Sequence, residues 1–193
     1  MSKRTHLSEL AGFCNEPTAW RILKDVSQQL IEHDPCIVTP SLIEIAGDGH
    51  FVLTPSDAHQ LGYDAPNALA DTLTEADAVW SLGATLFYIV MGRQVMNGKG
   101  GKGQTAASKL PYMRSGWPEM SELVKRCLQY EPMLRPSLQE VFDTAERQDK
   151  RCQADIKRGP KFKESALTSH LGNGFDSSLA FWPETMQSSS NNP

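Results

Sequence analysis

Residues 76–91 read A-D-A-V-W-S-L-G-A-T-L-F-Y-I-V-M, and this apolar run decides the fold. Its apolar side chains cover every face of a helix rather than one stripe, and such a helix must be buried on every side. The run is shorter than the roughly 18 apolar residues that a membrane span needs, so we expect no membrane partner. Gly92 follows directly and is a natural residue after a last helical turn. The sequence therefore predicts the central helix of a globular core.

An amphipathic helix and a hairpin are predicted on the N-terminal side of this run. Asn15 is a good N-cap, because its side chain accepts a hydrogen bond from the first turn. Apolar residues then recur at spacings of four, three and four, in one stripe that ends near His33: Ala19, Leu23, Val26 and Leu30. Two short β-rich runs follow, 42–45 and 50–53, and the loop between them holds two glycines that tolerate positive φ.

On the C-terminal side the sequence predicts a flexible Gly/Lys loop and two helices, 118–129 and 136–148, each with proline near its start. Residues 1–149 hold 13 Lys/Arg against 19 Asp/Glu, a charge of −6, whereas the rest hold six against four. We therefore predict a lead-in over 1–16, a domain over 17–149 and a disordered tail over 150–193. The tail contains a candidate apolar patch for binding a partner: Phe175, Leu179, Phe181 and Trp182.

Composition also narrows the classes of function. A net charge of −4 argues against nucleic acid as a partner, since phosphate binding needs a basic surface. The four cysteines are scattered, without a CxxC pair or a histidine at metal-ligand spacing, which indicates reduced thiols in a cytoplasmic protein and no metal. No apolar stretch follows the basic N-terminus, so we expect no signal peptide.

Four stretches, in chain order, resemble the C-terminal lobe of eukaryotic-type protein kinases. Residues 48–53 resemble the hairpin before the kinase D-F-G triplet, and 63–67 (Y-D-A-P-N) resemble the activation-segment end, Y-x-A-P-E. Residues 79–83 (V-W-S-L-G), with a later Met91-Gly92, resemble the central-helix signature D-V-W-S-L-G…T-G. Residues 123–137 resemble the closing signature L-I-x-x-C-L-x-x-x-P-x-x-R-P-S.

The resemblance covers roughly residues 17–146 and implies a mainly α fold, a kinase-like C-lobe of bundled helices with a small β-hairpin. Only about 16 residues precede the first helix, so we expect no N-lobe. The residues at or next to the positions of the family's structural signature are Ala65, Pro66, Asn67, Asp77, Trp80, Gly83, Arg135 and Pro136, with Asn67 in place of the family's Glu.

The positions that would carry catalysis are degenerate. When Pro40 is placed on the proline of the catalytic loop H-R-D-L-K-P-x-N, Ile37 takes the position of the base and Leu42 that of the Mg²⁺-binding Asn. Pro55 takes the position of the D-F-G Asp. A hydrocarbon side chain neither accepts a proton nor coordinates a hard cation. We therefore predict no catalytic residue, no cofactor and no enzymatic activity, as in a pseudokinase. The kinase brace for the catalytic loop, an Asp of the central helix, is either replaced by Ala78 or shifted to Asp77.

Two further stretches have alternative interpretations. In kinases Arg135 would pair with the Glu of A-P-E, which is Asn67 here, so we expect substitutes: backbone carbonyls and Asn67 first, Glu75 or Glu131 next. The alternative is an exposed Arg135 without a structural role. Residues 99–105 (K-G-G-K-G-Q-T) resemble a deviant Walker A loop, but Gln104 stands where the phosphate-contacting lysine belongs and a helix precedes it. A flexible basic loop is the better interpretation.

A free-standing C-lobe without catalytic residues fits the kinase non-catalytic C-lobe domain, the module of Spire-type actin nucleators. Residues 6–10 (H-L-S-E-L) and the pair Trp20 and Leu23 resemble the start of that module. In that family an acidic groove takes a basic peptide, and the charge of −6 over residues 1–149 suits such a ligand. We predict a scaffold that binds a protein or basic peptide. The alternative is a partial or divergent serine/threonine kinase that retains nucleotide binding or acts in a split assembly.

Overall fold

The predicted central helix is α2, Glu75–Met91, in a computed structural model that describes residues 5–69, 72–113 and 116–158. Thirteen of its 17 residues are buried, so neighbours cover every face. Thr74 and Asp77 form a reciprocal capping box at its start. Gly92 ends it with a φ of 69°, a left-handed conformation that favours glycine. The prediction of a buried central helix is confirmed.

Helix α1, Glu16–Glu32, begins as predicted. The Asn15 side chain accepts a hydrogen bond from the Thr18 amide at 2.9 Å, which caps the first turn. The predicted stripe Ala19, Leu23, Val26 and Leu30 is buried, and Trp20 and Ile22 are buried beside it. The helix packs against α2 and against the small sheet.

The sheet has three antiparallel strands in the order β1 (Thr5–His6), β2 (Ile43–Ile45), β3 (Phe51–Leu53). The predicted hairpin is β2–β3, in which Glu44 is paired with Val52. Gln29 of α1 fastens it: its amide donates to the Phe51 carbonyl at 2.8 Å and accepts from the Leu53 amide at 2.9 Å. Strand β1 has no counterpart among the elements predicted from the sequence.

Helix α3, Pro118–Cys127, ends two residues before the prediction, and α4, Leu138–Arg158, continues ten residues beyond its predicted end. The correction to α4 has a physical reason. Its last three turns are tied down by buried Asp149 and Cys152 and by Arg151, which reaches Glu16 of α1 and Glu119 of α3. Because most residues of these turns are polar, they form no apolar stripe from which a helix could be predicted.

The compact unit is Met1–Lys157. The domain boundaries drawn at 16 and 149 both fall inside it, because β1 pairs with β2, Leu7 is fully buried and α4 runs past residue 149. The rest of the predicted tail, with its apolar patch, lies outside the described residues.

Five 3₁₀ turns complete the described part of the chain: Leu7–Leu10, Pro40–Leu42, Val95–Gly98, Gly100–Gly103 and Pro132–Leu134. One hydrophobic core joins α1, α2, α3 and the sheet. Gly83 lets α2 and α3 approach closely, since a Cβ there would lie 2.7 Å from the Cβ of Cys127. The fold class is mainly helical with a small antiparallel sheet.

Candidate functional site

The three positions that the sequence resemblance aligns with kinase catalytic residues, Ile37, Leu42 and Pro55, lie on two adjacent segments, 36–42 and 53–57. Their contact is direct, because the Ile37 amide donates to the Ser56 carbonyl at 3.0 Å. The Ile37 side chain is fully buried in the core, Leu42 is half-buried and Pro55 is exposed. The nearest carboxylates in sequence are Asp34 and Asp57, which are exposed, and Glu44, which is half-buried on strand β2. These positions supply hydrocarbon where phosphoryl transfer needs a base and oxygen ligands.

Two hydroxyl groups of α2 hold segment 36–42. The Val38 amide donates to Ser81 Oγ at 3.0 Å, and Thr85 Oγ1 donates to the Val38 carbonyl at 2.8 Å. All the groups involved are buried, so both polar atoms of the Val38 backbone are satisfied. The sequence carried this signal, because Ser81 and Thr85 lie one helical turn apart in an otherwise apolar run.

Asp77 does not brace that segment. One of its oxygens, Oδ2, accepts from the Thr74 amide at 3.0 Å and from the Thr74 hydroxyl at 2.7 Å. The other, Oδ1, lies 3.6 Å from a guanidinium nitrogen of Arg135. The Ala78 carbonyl accepts a hydrogen bond from the Ser81 hydroxyl, the same hydroxyl that binds the Val38 amide. Segment 36–42 is therefore held by the neutral hydroxyls of Ser81 and Thr85 and not by Asp77.

Arg135 is buried, with 0% of its side chain exposed, so the alternative of an exposed Arg135 is wrong. It donates to the carbonyls of Gln129 (Nε, 2.9 Å), Ala76 (Nη1, 2.9 Å) and Tyr130 (Nη2, 3.0 Å). The expected backbone carbonyls are therefore its partners. Burial lowers the pKa of Arg135, and the charge of Asp77 opposes that shift.

Of the other expected substitutes, the charge of Glu131 favours the charged form of Arg135, whereas Asn67 and Glu75 bind other groups. Asn67 donates to the Tyr130 carbonyl at 3.0 Å, the same oxygen that Arg135 uses, and so supports the site indirectly. Glu75 accepts from the Leu138 amide at 2.7 Å and so anchors the start of α4. The carboxylate that faces Arg135 is Asp77, on the first turn of α2.

The Gly/Lys loop is packed rather than flexible, which corrects the prediction. Gly100 and Gly101 are buried against the chain at 62–66, where the Gly101 amide donates to the Asp64 carbonyl at 2.9 Å. Gln104 is buried as well: it accepts from Trp80 Nε1 at 3.1 Å and donates to the Leu128 carbonyl at 2.7 Å. The loop thus links Ala65 and Pro66 to the central helix, and Gln104 points into the core.

The cysteine thiols are poorly placed for reaction. None of the four forms a disulfide bond, and all four are buried. Burial raises the pKa of Cys127 to about 12 and also raises the pKa of Cys36 and Cys152. A thiol must ionise to act as a nucleophile or metal ligand, so burial disfavours both roles for Cys36, Cys127 and Cys152. In the described ranges no three His, Cys, Asp or Glu side chains converge as a metal site would require.

The charge distribution along the chain is one-sided. Residues 25–92 contain ten Asp/Glu and no Lys or Arg. Two contacts bring exposed members of this set to one edge: Gln29 binds Phe51 and Leu53, and Ile37 binds Ser56. Glu32 is the last residue of α1, Asp34 lies three residues before Ile37, and Asp57 follows Ser56, so the three carboxylates lie on adjoining segments. We call Glu32, Asp34 and Asp57 the acidic edge; all three are exposed.

No protein-family model matches the chain, and none of the curated proteins matches it. Within the described residues, no helix combines the length and the hydropathy that crossing a bilayer would demand.

Proposed function

We propose that this chain is a kinase C-lobe-like protein-interaction module without phosphoryl-transfer activity. The single observation that carries the proposal is the chemistry of segments 36–42 and 53–57. Ile37 is buried, Leu42 is half-buried, and segment 36–42 is held by the neutral hydroxyls of Ser81 and Thr85. A carboxylate placed at position 37 would enter a fully apolar site and lose several kcal/mol of solvation.

The kinase-like part of the proposal rests on the four sequence resemblances and on compatible contacts. Arg135 lies near the segment 65–67 through the shared Tyr130 carbonyl, and Trp80 is fixed by Gln104. Contacts of this kind maintain a bundle around a central helix whether or not the chain performs chemistry. They support the family assignment as a proposal.

We infer that the partner is a basic segment of another protein, bound at the acidic edge. Its exposed carboxylates lie in a stretch of 68 residues (25–92) without a single Lys or Arg, so nothing nearby in the sequence neutralises them. An exposed Ile31, 42% accessible, adjoins Glu32 and offers apolar contact. Complementary charge mainly accelerates association and sets specificity.

The test is fluorescence anisotropy with a labelled peptide rich in Lys and Arg, titrated with the full chain. Neutralising the acidic edge (Glu32→Gln, Asp34→Asn, Asp57→Asn) should weaken binding about tenfold, because three exposed ion pairs are each worth about 0.2–1 kcal/mol. The control neutralises two exposed carboxylates of α3 and α4, Glu122→Gln and Asp143→Asn, and should leave affinity within about twofold; its comparison is the double variant Asp34→Asn, Asp57→Asn, which removes the same charge.

Equal weakening by the control and the acidic-edge variant would refute the assignment of the surface. A separate measurement addresses the loss of catalysis: a ligand at 100 times its Kd raises stability by about 2.7 kcal/mol. We expect ATP with Mg²⁺ to leave the thermal midpoint unchanged. A clear rise, or phosphate transfer by the purified protein, would favour a divergent kinase.

A further inference from the structure

A pocket with a mainly cationic lining, in contrast to the acidic edge, lies between α1, the β2–β3 turn and the last turns of α4. Its volume is about 400 Å³, within the roughly 300–1,000 Å³ range of small-molecule sites. Its lining includes three cations against one carboxylate, Asp48. The cations come from two helices that are far apart in sequence: Arg21 and Lys24 from α1, Lys157 from α4.

Two of these three cations have little or no neutralisation by a carboxylate of the protein. Lys24 is neutralised, since its ammonium lies 2.8 Å from Asp149 Oδ2 and 3.7 Å from Asp25 Oδ1. The one ion pair of Arg21 within the described residues is a long contact, 4.0 Å from Nε to Asp149 Oδ1. The side-chain ammonium of Lys157 makes no hydrogen bond or ion pair with any other residue that the structure describes. Arg21 and Lys157 therefore present charge to the pocket.

The carboxylates around the pocket are largely committed to the protein. Asp48 accepts from the His50 amide at 3.0 Å, which shapes the turn. Asp25, buried, accepts from the Phe51 amide at 3.1 Å and lies 3.0 Å from the His50 ring. Asp149 accepts from Gln153 and Lys24 through Oδ2, whereas its buried Oδ1 has no hydrogen-bond partner among the described residues. Asp149 thus binds Lys24 through Oδ2 and lies 4.0 Å from Arg21 Nε through Oδ1.

We propose that this pocket binds a phosphomonoester, with the phosphate between Arg21 and Lys157. The two positive charges of Arg21 and Lys157 match the two negative charges of such a group. The guanidinium of Arg21 offers a planar fork of donors that fits phosphate oxygens. His50 lines the same pocket and is 60% exposed, but its Nδ1 is committed to Asp25 Oδ2 at 3.0 Å, so Arg21 and Lys157 are the donors to the phosphate. Ile156, 65% exposed, gives the carbon body of the ligand an apolar surface.

A lone phosphate ion would fill little of this volume, so the ligand carries its phosphate on a larger body. That body is either a free small molecule or the side chain of a phosphorylated protein segment. The pocket does not include the acidic edge, so this inference and the proposed basic partner stand or fall separately.

The experiment is a ¹H–¹⁵N chemical-shift titration of the full chain at low salt. The probes are O-phosphoserine, a phosphoserine peptide, the same peptide with serine, and inorganic phosphate. We expect O-phosphoserine to shift the amides of Gly49, Arg21 and Lys157 in a saturable way. Tighter binding of the phosphopeptide than of O-phosphoserine would identify a protein segment as the source, and equal binding would identify a small molecule.

Charge-neutralising variants complete the test. Arg21→Gln and Lys157→Gln should each weaken O-phosphoserine binding about tenfold, the effect of one lost charge-assisted hydrogen bond. The matched control is Lys150→Gln on α4, whose ammonium pairs with Glu146 at 2.8 Å. It should leave affinity unchanged. The proposal is overturned if O-phosphoserine causes no saturable shift, or if the control weakens binding as much as Lys157→Gln.

Discussion

Replacing Arg135 by methionine tests the network on which the base of α2 depends. The variant keeps most of the side-chain volume but removes the charge and all the donors. Three hydrogen bonds disappear, to the carbonyls of Gln129, Ala76 and Tyr130, and Asp77 loses the cation 3.6 Å away. Removal of one partner from a buried ion pair costs about 3–5 kcal/mol.

The structure places this loss near the lower end of that range. Tyr130 keeps a donor, since Asn67 binds the same carbonyl, and Asp77 keeps both of its bonds to Thr74. We therefore expect Arg135→Met to lower the free energy of unfolding by about 3 kcal/mol. Asp77→Asn retains an oxygen for Thr74 and leaves Arg135 its three carbonyls, so it should cost about 1–2 kcal/mol.

The assay is urea unfolding followed by tryptophan fluorescence, because Trp20 and Trp80 are both fully buried. The control is Arg126→Met, which removes a partly exposed pair with Glu140 at 2.7 Å and should cost at most about 1 kcal/mol. The expected order of destabilisation is Arg135→Met, then Asp77→Asn, then Arg126→Met. A cost below about 1 kcal/mol for Arg135→Met, in a variant that still unfolds cooperatively, would refute the reasoning.

Three other predictions concern packing, the brace and the thiols. Gly101→Ala should destabilise the fold by about 2 kcal/mol or more in urea unfolding, because the added Cβ would clash with the 64–66 backbone, whereas Gly47→Ala, with nothing within 4 Å, should be neutral. Ser81→Ala leaves the buried Val38 amide without its acceptor and should cost about 1–3 kcal/mol, measured in the same way. Iodoacetamide at pH 9 should leave Cys127 unmodified in the native chain and label it after unfolding, as read by mass spectrometry, because its native pKa of about 12 keeps the thiol protonated and unfolding returns that pKa towards 9.0.

The elements predicted well from sequence are those whose signals are local. The start of α1 follows from Asn15 and a stripe at helical spacing, and both ends of α2 follow from an apolar run and Gly92. The β2–β3 hairpin follows from two β-rich runs around glycines. In each case side chains within a few residues of one another determine the backbone conformation, so a single sequence contains the information.

The elements predicted poorly depend on partners distant in sequence. Strand β1 is two residues long and exists only because β2 offers it an edge some 39 residues later. The last turns of α4 are mostly polar, and their stability comes from Asp149, Arg151 and Cys152 meeting α1 and α3. The Gly/Lys loop is packed by Gln104 and Gly101, whose contacts lie with Trp80, Leu128 and Asp64. No local pattern encodes such contacts.

The candidate site was predicted in part for the same reason. Burial of Arg135 and its dependence on backbone carbonyls could be inferred from a guanidinium without its usual acid. The acid that does face it, Asp77, was assigned to another role, because sequence order does not show which face of α2 meets which segment. The acidic edge required the contacts of Gln29 and Ile37 before three scattered carboxylates became one surface.

The buried polar side chains of this fold bind main-chain groups, so the fold does not depend on the catalytic residues that we propose are absent. Arg135, Gln104 and Thr85 all donate to main-chain carbonyls, and Ser81 accepts from a main-chain amide, so the backbone itself supplies their partners. No member of that set needs a charged residue on segment 36–42. Ile37 can therefore be hydrocarbon at no cost to the network, and its burial adds about 1.5–3 kcal/mol of its own. Ile37, which the proposal aligns with a catalytic base, is part of the hydrophobic core, so a carboxylate at this position would destabilise the fold.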